Sequence, residues 1–203
     1  MHNGLTPANR ILKRTFDVFL SFFGLLLLWP LILLGWIAAA FSTRDNGFFI
    51  QIRVGMHGRT FKLLKLRSML NRDDVRTSVT TRQDPRITRV GALLRKTKID
   101  ELPQLWNVLV GHMSIVGPRP DVPGFADKLT GEDLIILSIR PGITGPATLE
   151  FRNEEELLSK HSDPERYNRE VIWPKKIQLN KAYVANYSFW KDLGYIWRTI
   201  ARL

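Results

Sequence analysis

The sequence predicts a mixed α/β protein that is mostly helical, with an N-terminal membrane helix ahead of one compact domain. Three features of the 203-residue chain carry this prediction: an uncharged apolar run near the start, an alternating segment with two glycines after it, and helix-spaced apolar residues towards the C-terminus. A chain of this length suffices for one domain with a core and an accessory segment. We therefore divide the chain into a membrane segment at 1–44 and a domain at 45–203.

The apolar run extends from Val18 to Phe41 and contains no charged residue. A straight helix of about 24 residues would extend roughly 36 Å, enough to cross the hydrocarbon layer. Pro30, near the middle, removes a backbone donor and bends a helix. Asp17 and Arg14, at the start of the run, are expected to form an ion pair at the lipid headgroups.

The charges that flank the apolar run bear on its topology. The positive-inside rule favours the same side of the membrane for both flanks. A spanning helix and a re-entrant helix that breaks at Pro30 are both compatible with these residues. The flanking basic residues are Arg10, Lys13 and Arg14 before the run, and Arg44, Arg53 and Arg59 after it.

A β-hairpin is predicted directly after the membrane segment. Alternating apolar and polar residues predict strands at Phe48–Arg53 and Thr60–Arg67, and Gly55 and Gly58 supply the turn between them. The polar stretch Asn71–Pro85 is predicted to be a loop.

Helices dominate the rest of the chain. Val90, Leu93 and Leu94 have helical spacing, and Asp100 is predicted to be the N-cap of the next helix, with Pro103 in its first turn. Further on, the sequence predicts a short helix after Pro120, a turn at "IRPGITGPA", an acidic helix near Asn153–Lys160 and two C-terminal helices.

The last predicted helix is amphipathic. Such a helix either faces the core of the domain or lies in the membrane interface, and the aromatic rings of Trp190, Tyr195 and Trp197 suit the headgroup boundary. Its apolar face comprises Phe189, Leu193, Ile196, Ile200 and Leu203, while Lys191, Arg198 and Arg202 lie away from that face.

Composition narrows the classes of function. Thirty Lys and Arg against nineteen Asp and Glu give a net charge of +11, which favours anionic partners: nucleic acid, an acidic membrane surface or phosphorylated substrates. The absence of Cys excludes disulfides, a thiolate nucleophile and thiolate zinc sites. The four His residues show no metal-ligand spacing.

Adjacent carboxylates at Asp100 and Glu101 are the strongest candidates for chemistry. Neighbouring residues on a helix point about 100° apart, which suits two carboxylates with different roles. A carboxylate near a helix N-terminus is stabilised in its ionised, nucleophilic form. The cations around the pair suit a phosphate-bearing ligand, and carboxylate with phosphate suggests Mg²⁺. These cations are Arg95, Lys96, Lys98 and Arg119. The plain structural alternative is a capped helix beside an ordinary turn.

The stretch "RITRVGALLRKTKIDELPQLWNVLVGHMSIVGPRP", with "FKLLKLRSM" before it and "RPGITG" after it, resembles the small monotopic phosphoglycosyl transferases of bacteria. The resemblance covers nearly the whole chain. It implies an N-terminal re-entrant membrane helix broken at Pro30, a cytoplasmic domain on the inner membrane and interfacial amphipathic helices. It also implies transfer of a sugar 1-phosphate from a UDP-sugar to polyprenol phosphate, as the first membrane step of glycoconjugate assembly.

The resemblance assigns roles to individual residues. Asp100 and Glu101 are the implied catalytic pair, with Asp100 as the nucleophile that forms a covalent phosphosugar and as the Mg²⁺ contact. The implied phosphate-binding residues are Lys65, Arg95, Arg119 and Arg152. His112 and Asn180 stand where the family frequently has acids, which leaves the second shell of the metal and the choice of sugar open.

The predicted partners are therefore a UDP-sugar, polyprenol phosphate and membrane lipid, and a homodimer is compatible with the sequence. A membrane-tethered nucleic-acid-binding domain is the main alternative, but the sequence contains no signature of a nucleic-acid-binding motif. A non-catalytic scaffold is the third hypothesis, and the acid pair with its cations argues against it.

Overall fold

A computed structural model describes residues 5–71, 80–81 and 84–201. Most of the loop predicted at Asn71–Pro85 lies outside the described residues. The described part is mostly helical, with two small two-stranded sheets and one long apolar helix at the N-terminal end.

Helix α1 runs from Pro7 to Thr43 without interruption, so the helix continues on both sides of Pro30. The side chain of Thr6 caps it by accepting a hydrogen bond from the backbone N–H of Asn9, and Pro7 occupies a first-turn position where its missing donor costs nothing. Arg44 ends the helix in the left-handed conformation. The helix is long and apolar enough to cross a membrane, by length and composition only.

One side of α1 packs against the rest of the protein. Near its start, Lys13 forms an ion pair with Asp192, while Arg14 donates to the backbone carbonyls of Val108 and Leu109. The Asp17 carboxylate accepts a hydrogen bond from the backbone N–H of Ile115. Arg14 and Asp17 each bind backbone groups of the domain. The prediction that they pair with each other at the headgroups is therefore wrong. Near the helix end, Gly35 and Ala39 pack on the domain as well.

The predicted hairpin is confirmed, with β1 at Phe48–Val54 and β2 at Thr60–Leu66 in antiparallel register. Phe49 lies opposite Lys65, so the two side chains share one face of the ribbon. The outer edge of β2 is covered by a side chain: Asn107 accepts from the N–H of Leu64 at 2.9 Å and donates to the carbonyl of Lys62 at 2.8 Å.

Helix α2 extends over Arg89–Lys96 and α3 over Gln104–Leu109. Val90 and Leu94 of α2 pack on the core, but Leu93, which shares their helical spacing, is exposed. Between these helices, Ile99–Glu101 forms a 3-10 turn, and Pro103 precedes α3. The prediction that Asp100 caps a helix is therefore wrong, because Asp100 lies inside the turn and α3 begins four residues later.

A short parallel sheet that the sequence did not predict pairs β3 at Ser114–Val116 with β4 at Gly142–Thr144. Two glycines permit its close contact, since a Cβ at Gly142 would lie 2.1 Å from the backbone nitrogen of Gly117. The turn that carries Arg119 follows β3 directly. This sheet therefore fixes where that turn leaves the core.

The C-terminal part is helical, as predicted. Two 3-10 segments, Ala126–Lys128 and Gly131–Ser138, stand where a short helix was expected. The helices are α4 at Pro146–Glu150, α5 at Glu154–Ser159, α6 at Pro164–Tyr167, α7 at Trp173–Ala185 and α8 at Phe189–Ile200, with a π-helical segment at Asn168–Ile172 before α7.

Replacing Asn107 with Leu should lower the free energy of unfolding by about 2–4 kcal/mol, because two backbone groups of β2 lose their partner. The comparison variant is Asn186→Ala, which removes one exposed hydrogen bond to Ala182 and should cost less than about 1 kcal/mol. Thermal unfolding in detergent measures both. Equal shifts for the two variants would show that Asn107 does not hold the edge of β2.

Candidate active site

Asp100 and Glu101 are both buried in the 3-10 turn that links α2 to α3. The chain enters this turn through Lys98, which has a positive φ of 58°. After that left-handed residue the chain enters the 3-10 turn, in which the side chains of Asp100 and Glu101 are buried. Local backbone geometry therefore places both carboxylates inside the protein.

Glu101 holds two cations from distant parts of the chain. Arg119 binds the carboxylate in bidentate fashion, with Nη2 donating to Oε1 at 2.7 Å and Nη1 donating to Oε2 at 3.3 Å. Lys65 Nζ lies 3.2 Å from Oε1. Burial alone would raise the pKa of Glu101, but Arg119 and Lys65 hold it well below the usual value. Glu101 is therefore ionised and has both oxygens bound.

Asp100 is placed differently from Glu101. Its Oδ1 atom is buried and has no hydrogen-bond partner among the described residues. Burial raises the pKa of Asp100, the charge of Lys65 opposes that rise, and the negative charge of Glu101 adds to it. The structure thus separates the adjacent acids into one that organises cations and one that keeps an oxygen available.

The other two predicted phosphate-binding residues lie on the wall of the same cavity. Arg95, in the last turn of α2, pairs with Glu155 of α5 and also donates to Ser68 Oγ at 3.4 Å. Arg152 has no ion-pair partner among residues 5–71, 80–81 and 84–201, so its guanidinium is available to a ligand. The structure therefore brings all four predicted cations to one cavity. Two of them, Lys65 and Arg119, form ion pairs with Glu101.

This cavity has a volume of about 760 Å³, within the range of sites for small organic ligands. Its charged part includes Asp100, Glu101 and the four cations, and Pro30 does not line it. His112 also lies outside the lining, and its ring packs on Phe61. Asn180 does line the cavity, and its buried Oδ1 has no partner in the described part of the chain.

Sequence reasoning did not single out several charged residues of the cavity wall. Burial, together with the charge of Arg119, lowers the pKa of Arg53 to about 10, and burial raises the pKa of Asp121 to about 6. Lys176 and Glu154 form an ion pair at 2.7 Å. These residues come from segments far apart in the chain, so no spacing in the sequence could have grouped them.

The described residues contain no group of three or more His, Asp or Glu side chains that could hold a metal ion. The donors fit Mg²⁺ in another way, because Mg²⁺ is commonly held by one or two carboxylates together with substrate phosphates. Asp100 offers an unpartnered buried oxygen, whereas the oxygens of Glu101 are bound by Arg119 and Lys65. Of the two adjacent acids, Asp100 is thus the one with an unpartnered oxygen for such an ion.

A family model and several known proteins match this chain over nearly its whole length. The family model described as bacterial sugar transferase matches residues 8–203. The exopolysaccharide production protein ExoY of Rhizobium meliloti is 33% identical, over 96% of this chain and 86% of that protein.

Two longer relatives match over a part of their length. The UDP-glucose:undecaprenyl-phosphate glucose-1-phosphate transferase of Escherichia coli is 36% identical over 97% of this chain and 41% of the enzyme. The undecaprenyl-phosphate galactose phosphotransferase of Salmonella typhimurium is 33% identical over 95% of this chain and 40% of the enzyme.

Replacing Glu101 with Gln should lower the free energy of unfolding by about 2–4 kcal/mol at pH 7, because the partly buried Lys65 and Arg119 lose their counter-charge and solvent screens part of that loss. A carboxylate with a lowered folded-state pKa stabilises the protein above its unfolded pKa of about 4.3, and that contribution is lost as the pH falls further. The difference in the free energy of unfolding between wild type and variant should therefore shrink below about pH 4.

Thermal unfolding of both proteins in detergent, at pH 7 and at about pH 3.5, measures this difference. Glu150→Gln removes an exposed carboxylate and should have little effect at either pH. A difference for Glu101→Gln that stays constant between the two pH values would contradict the ion-pair account.

Proposed function

The chain belongs to the bacterial sugar transferase family, and we propose that this enzyme transfers a sugar 1-phosphate from a UDP-sugar to undecaprenyl phosphate and releases UMP. The substrates follow the names of the Escherichia coli and Salmonella relatives. One observation carries the proposal: Asp100 keeps a buried, unpartnered carboxylate oxygen beside a carboxylate that binds two cations.

In the first proposed step, a carboxylate oxygen of Asp100 attacks the β-phosphorus of the UDP-sugar. The new bond joins that oxygen to phosphorus, and the bond from phosphorus to the bridging oxygen breaks, so UMP leaves with the bonding pair. Burial and the raised pKa make Asp100 a stronger nucleophile than an exposed carboxylate. The product is an aspartyl phosphosugar.

In the second step, a phosphate oxygen of undecaprenyl phosphate attacks the same phosphorus. The bond to Asp100 breaks, the carboxylate is restored, and the lipid carries a diphosphate-linked sugar. Each step exchanges one phosphorus–oxygen bond for another, so the residues of the site act mainly by positioning and by stabilising charge.

The cations supply the electrostatic stabilisation. Lys65 and Arg119 are fixed by Glu101, and fixed charges need no reorganisation when the phosphoryl group becomes more negative. Glu101 acts through these two residues, so it is a positioning residue in this account. Arg152 and Arg95 lie on the cavity wall, where they would contact the diphosphate or the acceptor phosphate.

Asp100 and the oxygens of the donor diphosphate would hold Mg²⁺. The ion would neutralise part of the diphosphate charge. The protein supplies one carboxylate oxygen for it, which leaves the remaining positions to substrate oxygens and water.

The packing of α1 supports a re-entrant, monotopic arrangement on the cytoplasmic face of the inner membrane. Lys13 and Ala39 both pack on the same domain, although a straight helix would separate them by about 39 Å, more than the hydrocarbon thickness of about 30 Å. A spanning α1 would have to take that domain through the bilayer. We therefore place both ends of α1 on the cytoplasmic side.

Helix α8 supports an interfacial position for the C-terminal part. Trp190 and Trp197 lie seven residues apart on one side and are 78% and 70% exposed, whereas Asp192 is buried. Tyr195 and Ile196 pack on the core, so α8 faces the domain with one side and presents Trp190 and Trp197 on another, where such rings suit the headgroup layer. The net charge of +11 would add attraction to anionic lipids.

The name of the exopolysaccharide production relative supports a role in exopolysaccharide production. We place the enzyme at the first membrane step of bacterial glycan assembly because its proposed product is a lipid-linked sugar. Nucleic-acid binding is not favoured, because Lys65 and Arg119 are engaged by a buried carboxylate inside a cavity and do not form an exposed basic surface.

Both ends of α1 should be cytoplasmic. Because the chain contains no Cys, single cysteines at Asn3 and at the exposed Arg59 provide unique labelling sites. A membrane-impermeant maleimide should label neither variant in intact spheroplasts and both after permeabilisation. Labelling of the Asn3→Cys variant in intact spheroplasts would contradict the re-entrant arrangement.

A stoichiometric burst of UMP should appear when the detergent-solubilised enzyme meets its UDP-sugar without lipid acceptor, at about one UMP per active site. UDP-glucose and UDP-galactose are the first donors to test. Asp100→Asn should abolish the burst, and Glu101→Gln should slow turnover while retaining it. A full burst from a folded Asp100→Asn protein would exclude the aspartyl intermediate.

A further inference from the structure

The first half of α7 presents one side to the catalytic cavity. Trp173, Lys176 and Asn180 follow one another at spacings of three and four residues, and all three line the cavity. Asp121 and Phe125, from the segment that follows β3, line it as well. The ring of Phe125 packs edge-on against Trp173, with 5.4 Å between the ring centroids. We define the α7 pocket as the part of the cavity lined by these five residues.

Asp121 and Asn180 lie close to each other in the α7 pocket. Both of them, together with Trp173, also line a small neighbouring cavity of about 20 Å³. A cavity of that volume has room for about one water molecule, so the residues that line it surround the same small space. The α7 pocket thus brings an acid and an amide to one place.

The side chain of Asn180 has an unused hydrogen-bond acceptor. The residue is 6% exposed, and its Oδ1 atom has no hydrogen-bond partner in the part of the chain that the structure describes. Buried polar atoms in proteins are nearly always hydrogen-bonded, so an unpartnered oxygen at a cavity wall indicates a bond to a ligand. We therefore expect a donor group of a ligand in front of Asn180.

The carboxylate of Asp121 is also available to a ligand. Among the described residues it accepts no hydrogen bond and forms no ion pair. The two cations whose charges act on it most strongly are engaged elsewhere, since Lys176 pairs with Glu154 at 2.7 Å and Arg53 donates to the side chain of Gln51 at 2.6 Å. Asp121 is therefore a second acceptor in the same pocket.

The chemistry of the α7 pocket identifies the class of its occupant. A carboxylate repels a phosphate, and burying a carboxylate and an amide against a hydrocarbon chain would leave both without partners. A sugar ring matches better, because hydroxyl donors surround its edge and C–H groups cover its faces. The hydroxyls would donate to Asp121 and Asn180, and the faces would contact the rings of Phe125 and Trp173.

The position of the pocket favours the donor sugar over the nucleoside. Asp121 follows Arg119 by two residues, a separation of at most about 7 Å along the chain. In a UDP-sugar the sugar is attached directly to the β-phosphate that Asp100 would attack, whereas the α-phosphate and the ribose separate uracil from that phosphorus. A pocket beside Arg119 is therefore within reach of the sugar.

We propose that Asp121 and Asn180 accept hydrogen bonds from hydroxyl groups of the donor sugar, so that the α7 pocket selects which UDP-sugar reacts. This assignment rests on the proposed function and adds specificity-determining residues to it. Replacing Asp121 with Ala removes the carboxylate but keeps the backbone carbonyl that accepts from the N–H of Val54 at 2.9 Å. Asn180→Ala removes the other acceptor.

Donors that lack one hydroxyl test the assignment in the acceptor-free half-reaction. UDP-glucose or UDP-galactose, whichever gives the UMP burst, is compared at low concentration with analogues that each lack one hydroxyl of the sugar. Wild type should react about tenfold more slowly, or worse, with at least one analogue, because an acceptor loses its donor. Asp121→Ala and Asn180→Ala should each lose about tenfold on the parent sugar, but each should tolerate one such analogue with less than about twofold further loss.

The matched control is Asn186→Ala, which removes an exposed amide directly after α7 and should discriminate among the donors as wild type does. Variants of Asp121 and Asn180 that keep the full discrimination of wild type against every analogue would overturn the proposal. Should either Ala variant fail to fold, Asp121→Leu and Asn180→Leu keep the side-chain size without an acceptor, and the same criteria apply to them.

Inhibition by UMP separates the sugar from the nucleoside. UMP lacks the sugar, so its inhibition constant against the donor should change by less than about twofold in both variants. A loss of UMP affinity equal to the loss in burst rate, in a variant that thermal unfolding shows to be folded, would place the nucleoside in the α7 pocket and overturn the proposal. Absence of a UMP burst from wild type with any UDP-sugar would instead reject the proposed function.

Discussion

The arrangement of the site depends on one buried carboxylate, Glu101, which binds Lys65 and Arg119 together. Burying a carboxylate with two partly buried cations is costly, and the cost is offset only when each charge is paired and hydrogen-bonded. Glu101 meets that condition by joining the hairpin, the 3-10 turn and the turn after β3 at a single point. Two cations and Glu101 leave one positive charge, which the ionised Asp100 balances.

That charge balance would change during the proposed reaction. In the proposed reaction, a bond from Asp100 to phosphorus would remove its carboxylate charge, and the positive charge of Lys65 and Arg119 would then face the anionic phosphoryl group. Glu101 is bound to both cations, so each of them has a partner other than Asp100. The two neighbouring acids therefore have different electrostatic surroundings.

A second buried network joins this site to the membrane helix. Lys13 of α1 binds Asp192 of α8, which also accepts from the Tyr183 hydroxyl at 2.7 Å, and Asp17 accepts from β3. Since β3 leads into the turn with Arg119, the strand that binds Asp17 of α1 also leads to one of the cations bound by Glu101. A site that serves a soluble donor and a lipid acceptor needs such a fixed depth relative to the membrane.

The sequence was informative where local patterns decide structure. Alternation located the hairpin, and motif resemblance identified Asp100, Glu101 and the four cations that line one cavity. It was misleading at Asp100, because the left-handed Lys98 forms a 3-10 turn where helix capping was expected. The three-residue strands β3 and β4 were too short to show alternation. Nothing in the local sequence marks Asp192 as buried, because its partner Lys13 is 179 positions away.

The most direct test of the central claim is to locate the covalent intermediate. The enzyme is incubated with its UDP-sugar without lipid acceptor, quenched in acid, digested and analysed by tandem mass spectrometry. The account predicts that the mass of one sugar phosphate appears on Asp100 and that it disappears on addition of undecaprenyl phosphate. A sugar phosphate on another residue, or turnover with no protein-bound sugar at any stage, would contradict it.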